Sequence, residues 1–112
     1  MRYETLLERT VEEWEDGRGV VQVVSPESGG TQLRFAYYSD GDFVNRPLTL
    51  SPSEDTADRT SEAVARLSTI ARTFTAEEIA ALVEELGEER VLELSVLIEE
   101  LGRGRLAEIL AE

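Results

Sequence analysis

The sequence contains no cysteine, no histidine and no lysine. Without cysteine there are no disulfides, no thiol nucleophiles and no thiolate metal ligands. Without histidine the chain lacks the commonest general base and the commonest transition-metal ligand. All 11 basic residues are therefore arginines, and aromatic residues make up only 6% of the chain. These absences predict a protein that is not an enzyme and that uses no cofactor or metal.

Acidic residues dominate the composition. There are 24 of them against 11 arginines, so the net charge is −13 over 112 residues. Direct binding to nucleic acid is disfavoured because phosphate contacts depend on Lys and Arg. The charge suits a basic protein partner, or solubility in a salt-rich, halophilic-type cytoplasm, where ions screen self-repulsion. The first 17 residues have scattered charges and no long apolar run, which predicts neither a signal peptide nor a membrane span. We therefore expect a cytoplasmic protein with a single domain at 1–112.

The first half of the chain predicts a helix followed by strands. Tyr3, Leu6, Leu7, Val11 and Trp14 recur at a spacing typical of one helix face, which predicts a helix over 1–16. Three runs rich in β-branched and aromatic residues then predict a three-stranded antiparallel meander over 19–50. Asp40-Gly41 suits a type I′ turn between the second and third strands. Pro47 predicts that the third strand lies at an edge.

The second half predicts a helical layer over 52–111 with three to four helices. Ser51 is predicted to cap the first helix, and Thr75 with Glu78 forms a second capping box. Gly87 and Gly102 are predicted helix ends. Because strands and helices are segregated along the chain, the predicted fold class is α+β: an N-terminal helix, a three-stranded antiparallel meander, then the C-terminal helices.

A 15-residue repeat relates residues 78–95 to residues 93–110. Each copy contains a Glu-Glu-Leu-Gly sequence that is followed by an arginine. A unit this short cannot bury its apolar stripe alone, and common helical solenoid repeats are longer. The repeat therefore predicts two local helix-turn units in one layer rather than a solenoid.

The helical half also carries the candidate contact residues. Residues 76–102 contain nine glutamates and a single arginine, which predicts either a solvated helix face or an acidic surface for a partner. Tyr38 is the best aromatic candidate on the sheet. The segment 89–101 is apolar around most of its circumference, which indicates a central helix or a dimer contact at Val96 and Leu97. The predicted partner-binding residues are Glu77, Glu84, Glu85, Glu88, Glu89, Glu99, Glu100 and Tyr38.

Other candidate sites are weak. Asp40 and Asp42 lack the further ligands of an EF-hand loop. No Gly-rich phosphate loop is present, and no two carboxylates stand out as an acid–base pair. A helix-turn-helix DNA reader would need basic residues on its second helix, where this chain has glutamates.

The composition and patterns together favour a non-catalytic, acidic protein-interaction module. We expect an inhibitor or adaptor whose carboxylates imitate nucleic-acid phosphates in the basic groove of a partner, as a virus-encoded inhibitor of a host defence system would. The alternative is a salt-adapted protein that works through a homodimer or a contact on the sheet face. Neither hypothesis involves a cofactor, a membrane or direct binding to nucleic acid.

Overall fold

A computed structural model describes residues 3–44 and 48–111 of the chain, with side chains described as far as Leu101. A four-stranded antiparallel sheet comes first, and three helices follow it. The fold class is α+β, but the predicted element order is wrong at the start of the chain. The strands are β1 (Tyr3–Trp14), β2 (Gly17–Pro26), β3 (Gln32–Ser39) and β4 (Asp42–Val44); the helices are α1 (Glu54–Thr73), α2 (Ala76–Leu86) and α3 (Glu88–Ala111).

The predicted N-terminal helix is a β-strand. β1 pairs with β2 along its whole length, and the register shifts between Thr5 and Leu7 and again between Thr10 and Glu12. Each shift is a β-bulge, which inserts one extra residue and interrupts the alternation of side chains between the two faces. The extra residues, Leu6 and Val11, are both buried in the core. The two bulges therefore give an apolar spacing that imitates a helix face.

The sheet has an inner face, which packs against the helices, and an outer face on the opposite side. The strand order is β1-β2-β3-β4. Val21 and Val23 of β2 belong to the core cluster together with residues of all three helices. Because successive side chains alternate, Val20, Gln22 and Val24 point to the outer face. The residues paired with them in β1 and β3 share that face.

The predicted three-stranded meander becomes four strands because β1 joins the sheet. The third predicted strand is present only as β4, which pairs with the end of β3. Asp40 and Gly41 both have positive φ, 53° and 85°, as a type I′ turn requires. The prediction for Pro47 lies outside the described residues. The paired part of the sheet thus spans residues 3–44, not 19–50.

The helix starts follow the capping residues, with one correction. Ser53, not Ser51, caps α1, since its side chain accepts a hydrogen bond from the backbone N–H of Thr56. The helix begins after this serine because two acidic residues, which favour a helix N-terminus, come next. The capping box at Thr75 and Glu78 is confirmed, with both reciprocal hydrogen bonds present at 2.9 and 3.2 Å.

The core lies between the inner face of the sheet and the helices. α1 contacts β1, β2 and β3 and also both other helices, so α1 is the central helix. Leu67 and Ile70 of α1 and Ile79 of α2 are fully buried there. α3 packs chiefly on α1 and α2, so of the two alternatives for residues 89–101 the central helix is wrong, and the dimer contact stays a prediction. In the described part of the chain, no helix is long and apolar enough to span a membrane.

The two copies of the repeat have different structures, so the predicted pair of helix-turn units is wrong. At Gly87 the backbone has φ 86° and ends α2, with its N–H bonded to the Val83 carbonyl. The helix α3 instead continues through Gly102 to Ala111. Glycine permits a left-handed helix end but does not force one. Of the two repeat glycines, only Gly87 lies at a turn, where α3 folds back onto α1 and α2.

We expect alanine to have opposite effects at these two glycines. Gly87→Ala should destabilise the protein by about 1–2 kcal/mol, because φ 86° with ψ 157° is a region that residues with a Cβ avoid. Gly102→Ala should stabilise it by about 0.5–1 kcal/mol, since alanine is a better residue than glycine inside a helix. Urea unfolding of both variants measures the two values. Destabilisation at both positions would contradict a helix that continues through Gly102.

Candidate functional site

The predicted acidic residues are all exposed, but the structure divides them into two groups. The carboxylate of Glu99 lies 3.7 Å from the guanidinium group of Arg66 and accepts a hydrogen bond from the Thr69 hydroxyl of α1. Glu89 lines a groove with Arg9 and Arg66. The described part of the chain shows no salt bridge for the remaining glutamates of the predicted set: Glu77, Glu84, Glu85, Glu88 and Glu100.

The two predicted dimer residues are adjacent but differ in environment. Val96 is half-buried and lines the groove that also contains Arg9 and Glu93. The side chain of Leu97 is exposed, with 50% of the residue accessible to solvent. Of these two residues, only Leu97 is exposed enough to contact a second molecule without rearrangement of the fold.

A cluster of hydrogen-bonded polar side chains lies on the outer face of the sheet. We call it the outer-face network; its members are Glu8, Arg18, Gln22, Arg34 and Tyr38. The β-register places Gln22 between Glu8 on β1 and Arg34 on β3. Gln22 is fully buried, and its amide nitrogen donates to Glu8 Oε1 at 2.7 Å and to Tyr38 Oη at 3.0 Å. Its amide oxygen accepts from Arg34 Nε at 2.9 Å. The Gln22 side chain is thus hydrogen-bonded to Glu8, Arg34 and Tyr38 at once.

Glu8 is the negative centre of the network. Its Oε1 accepts from Gln22 and Tyr38, and its Oε2 lies 2.8 Å from Arg18. Burial acts to raise the pKa of Glu8, but hydrogen bonds from Gln22, Arg18 and Tyr38 and the charge of Arg18 outweigh it and hold the pKa below its ordinary value. Burial and the hydrogen bond to Glu8 raise the pKa of Tyr38. Tyr38, predicted as a free contact residue, is therefore committed to this network.

Glu88, at the start of α3, has a raised pKa. The residue as a whole is exposed. Partial burial of its carboxyl group, followed by the negative charge of Glu8, nevertheless raises its pKa, with Arg18 opposing.

Aromatic side chains flank the network. The guanidinium carbon of Arg34 lies 5.4 Å from the ring centroid of Tyr3 and 4.9 Å from that of Phe43. Tyr3 and Phe43 are 39% and 46% exposed. In the described residues, Arg34 makes a side-chain hydrogen bond only through Nε, so its two terminal nitrogens are available to a ligand. No helix residue described by the structure belongs to this cluster.

Sequence reasoning missed this site, although one signal was present. Gln22 is the only polar residue in the run Val20–Val24, and a polar residue inside an apolar strand must find partners when it is buried. Identifying those partners requires the register of three strands. Because β1 was predicted as a helix, Glu8 could not be placed beside Gln22.

The network should make stability depend on pH through Glu8. A carboxyl group with a lowered folded-state pKa contributes stability that is present above its unfolded pKa and is lost as pH falls through the folded value. Glu8→Gln should therefore cost about 1–2 kcal/mol at pH 7, because hydrogen bonds to a charged group are lost. The cost should shrink as the pH falls below the ordinary glutamate value of 4.5. Urea unfolding at pH 7 and at pH 3 measures the difference, and a cost independent of pH would contradict the assignment.

Comparison with known proteins adds a family but no chemistry. A family model matches residues 1–112, which is the whole chain. The protein belongs to DUF8109, a family of unknown function. A comparison with curated proteins found no match, and neither did a comparison with solved structures. Membership in DUF8109 assigns no substrate or partner, so function must be argued from the surfaces of this chain.

Proposed function

We propose that this protein is a non-catalytic interaction module that binds a segment of another protein on the outer face of its sheet. The observation that carries the proposal is the Arg34 side chain, held by Gln22 and flanked by the exposed rings of Tyr3 and Phe43. Arginine and aromatic residues dominate the binding energy of protein interfaces.

The outer-face network supports the proposal because it is rigid before any partner arrives. Each polar side chain in it is held by at least one hydrogen bond or ion pair to another residue of the sheet. In the described residues, no buried side-chain nitrogen or oxygen atom lacks a partner. A pre-organised surface loses little side-chain entropy on binding.

The charges on this face indicate the chemistry of the partner. Glu8 already neutralises Arg18, whereas the charge of Arg34 has no acidic partner among the described residues. A carboxylate can accept two parallel hydrogen bonds from a guanidinium group. The expected occupant is therefore a protein segment that places a carboxylate against Arg34 and apolar side chains against Tyr3 and Phe43.

Matched substitutions test this surface. The protein, immobilised through its N-terminal amine, is exposed to lysate of its source organism, and the retained proteins are compared between variants. The double change Tyr3→Ser and Phe43→Ser, and separately Arg34→Gln, should abolish retention of the specific partner. The controls are Leu86→Ser with Leu97→Ser, two exposed apolar residues of the helices, and Arg72→Gln, an exposed arginine of α1. Retention that survives the outer-face changes would contradict the proposal.

A second candidate is the acidic α2–α3 surface, which would bind a basic partner such as the groove of a nucleic-acid-binding protein. The favouring observation is that Glu77, Glu84, Glu85 and Glu100 are exposed and form no salt bridge among the described residues, whereas Glu62 and Asp55 of α1 do. Reversal of Glu84, Glu85 and Glu100 to arginine should then abolish partner binding. Reversal of Asp58, Glu54 and Glu27 is the matched control. Equal loss in both sets would indicate only a general charge effect.

Two further hypotheses remain open to simple tests. A homodimer through Val96 and Leu97 would give a dimeric mass in sedimentation equilibrium, and Leu97→Glu should convert it to a monomer without unfolding it, because Leu97 is exposed. If the acidity is only a salt adaptation, both charge-reversed sets above should bind partners normally in high salt.

A further inference from the structure

Two hairpin turns meet at one end of the sheet. The β1–β2 turn contains Glu15 and Asp16, and the β3–β4 turn contains Asp40 and Gly41. The backbone N–H of Asp40 donates to the carbonyl of Asp16 at 2.6 Å, which fixes the two turns side by side. The side chains of these two turns therefore lie in one region. This region is distant in sequence from the acidic helices α2 and α3.

An aromatic cavity opens beside these turns on the inner-face side of the sheet. Trp14 and Tyr37 form two of its walls, with ring centroids 6.3 Å apart and planes at 83°. Asp16, Gly17, Tyr38, Ser39 and Thr49 complete the lining, and the cavity volume is about 230 Å³. Trp14, which the sequence placed on the apolar face of a predicted helix, is 38% exposed. Part of its ring is therefore open to solvent beside the cavity.

Glycine at position 19 makes this arrangement possible. A Cβ there would lie 3.3 Å from the Trp14 ring and closer still to Leu48. The indole consequently packs over bare backbone, and the segment after the β3–β4 hairpin packs beside it. The position of Trp14 is thus set by the sheet and does not depend on a ligand.

The charge around the cavity is negative. Asp16 lines it, and Glu13, Glu15 and Asp40 line an adjoining depression between the same two turns. The arginine of that depression, Arg18, is already paired with Glu8 and stacked on Tyr38. In the part of the chain that the structure describes, the acids do not form a group that could hold a metal ion. The faces of aromatic rings attract cations, and nearby carboxylates add charge of the opposite sign.

We propose that the Trp14–Tyr37 cavity binds an alkylammonium group, supplied either by a lysine side chain of a partner or by a free quaternary amine. The rings supply cation–π contact, and Asp16 supplies the opposite charge. The aromatic walls of this site, Trp14 and Tyr37, lie on the inner-face side of β1 and β3, whereas Tyr3, Arg34 and Phe43 lie on the outer face. The two proposed surfaces are therefore distinct, although Tyr38 borders both. The proposal for this cavity does not depend on the proposed function.

The single tryptophan of the chain gives a direct readout, because a change in intrinsic indole fluorescence reports on Trp14 alone. Titration with choline is compared with its uncharged isostere 3,3-dimethylbutan-1-ol, at constant ionic strength. N-acetyl-lysine methylamide is a third titrant that tests the lysine source. We expect a saturable change with choline, with the lysine derivative, or with both, and none with the isostere.

Two variants assign the signal to the cavity. Tyr37→Leu should abolish the response. Asp16→Asn should weaken the affinity by about 1.4-fold to fivefold, which is the range for an exposed charge pair. It should leave the fold intact because Asp16 is an exposed turn residue. Asp58→Asn, an exposed acid of α1, is the control and should bind normally. An equal response to the isostere, or no saturable response to either cation, would overturn the proposal.

Discussion

Gln22→Leu is expected to lower the free energy of unfolding by about 2–3 kcal/mol, although leucine fills nearly the same volume. The substitution removes the acceptor of Arg34 Nε and two donors to Glu8 and Tyr38. Groups left buried without partners cost about 1–3 kcal/mol, and charged groups cost more. A hydrophobic replacement in a strand would otherwise be favourable, so a large loss must come from the network. Urea unfolding at pH 7 measures it.

Gln32→Leu is the matched control for this result. Gln32 points to the same face, from the neighbouring strand β3, but it is exposed and forms no side-chain hydrogen bond in the described structure. Its replacement should change stability by no more than about 0.5 kcal/mol. If the two leucine variants have equal stability, Gln22 does not organise the outer face as described.

Leu67→Ala is expected to lower the free energy of unfolding by about 3–4 kcal/mol. Leu67 is fully buried in the centre of α1, the helix that contacts three strands and both other helices. Its truncation removes apolar contact and leaves a cavity where the surrounding layers cannot collapse freely.

Leu97→Ala makes the same chemical change at the surface. Because Leu97 is half exposed, the expected cost is below about 1 kcal/mol in the monomer. A cost at Leu97 as large as that at Leu67, at protein concentrations where the sedimentation mass is monomeric, would show that α3 is packed differently. A cost that appears only at high protein concentration would instead support the dimer contact.

The sequence predicted the helical half better than the sheet, and the reason is physical. Helix ends are local: Thr75, Glu78 and Gly87 lie within one turn of the backbone groups that they satisfy. The prediction failed at Gly102, because a glycine is compatible with either a helix end or a helix interior. Whether the helix ends there depends on whether the chain must fold back, which is a property of the packed molecule.

The error at β1 has a different origin. The strand contains many residues that favour helices. Its two bulges, at Leu6 and Val11, interrupt the alternation of side chains between the two faces that a regular strand would show. Local propensity and apparent periodicity then agree on the wrong structure. Only pairing with β2, whose Val20–Val24 run is buried on both faces, selects the strand.

The candidate surfaces differ in the same way. The exposed glutamates of α2 and α3 were visible as a charge pattern, because exposure of charged residues needs little knowledge of the fold. The outer-face network and the Trp14–Tyr37 cavity each require residues from three segments of the chain. The network became recognisable only when the register joined Glu8, Gln22 and Arg34 across the sheet, and the cavity only when the same register brought Trp14 and Tyr37 together across β2.

Site-specific photo-cross-linking tests the central claim, binding at the outer face, most directly. Benzoylphenylalanine is introduced at Phe43, on the outer face, or at Leu97, on α3, and each protein is irradiated in lysate of the source organism. We expect one discrete adduct from position 43, absent when Arg34→Gln is added, and none from position 97. A discrete adduct from position 97 with none from position 43 would contradict the outer-face account and place the partner on the helical side.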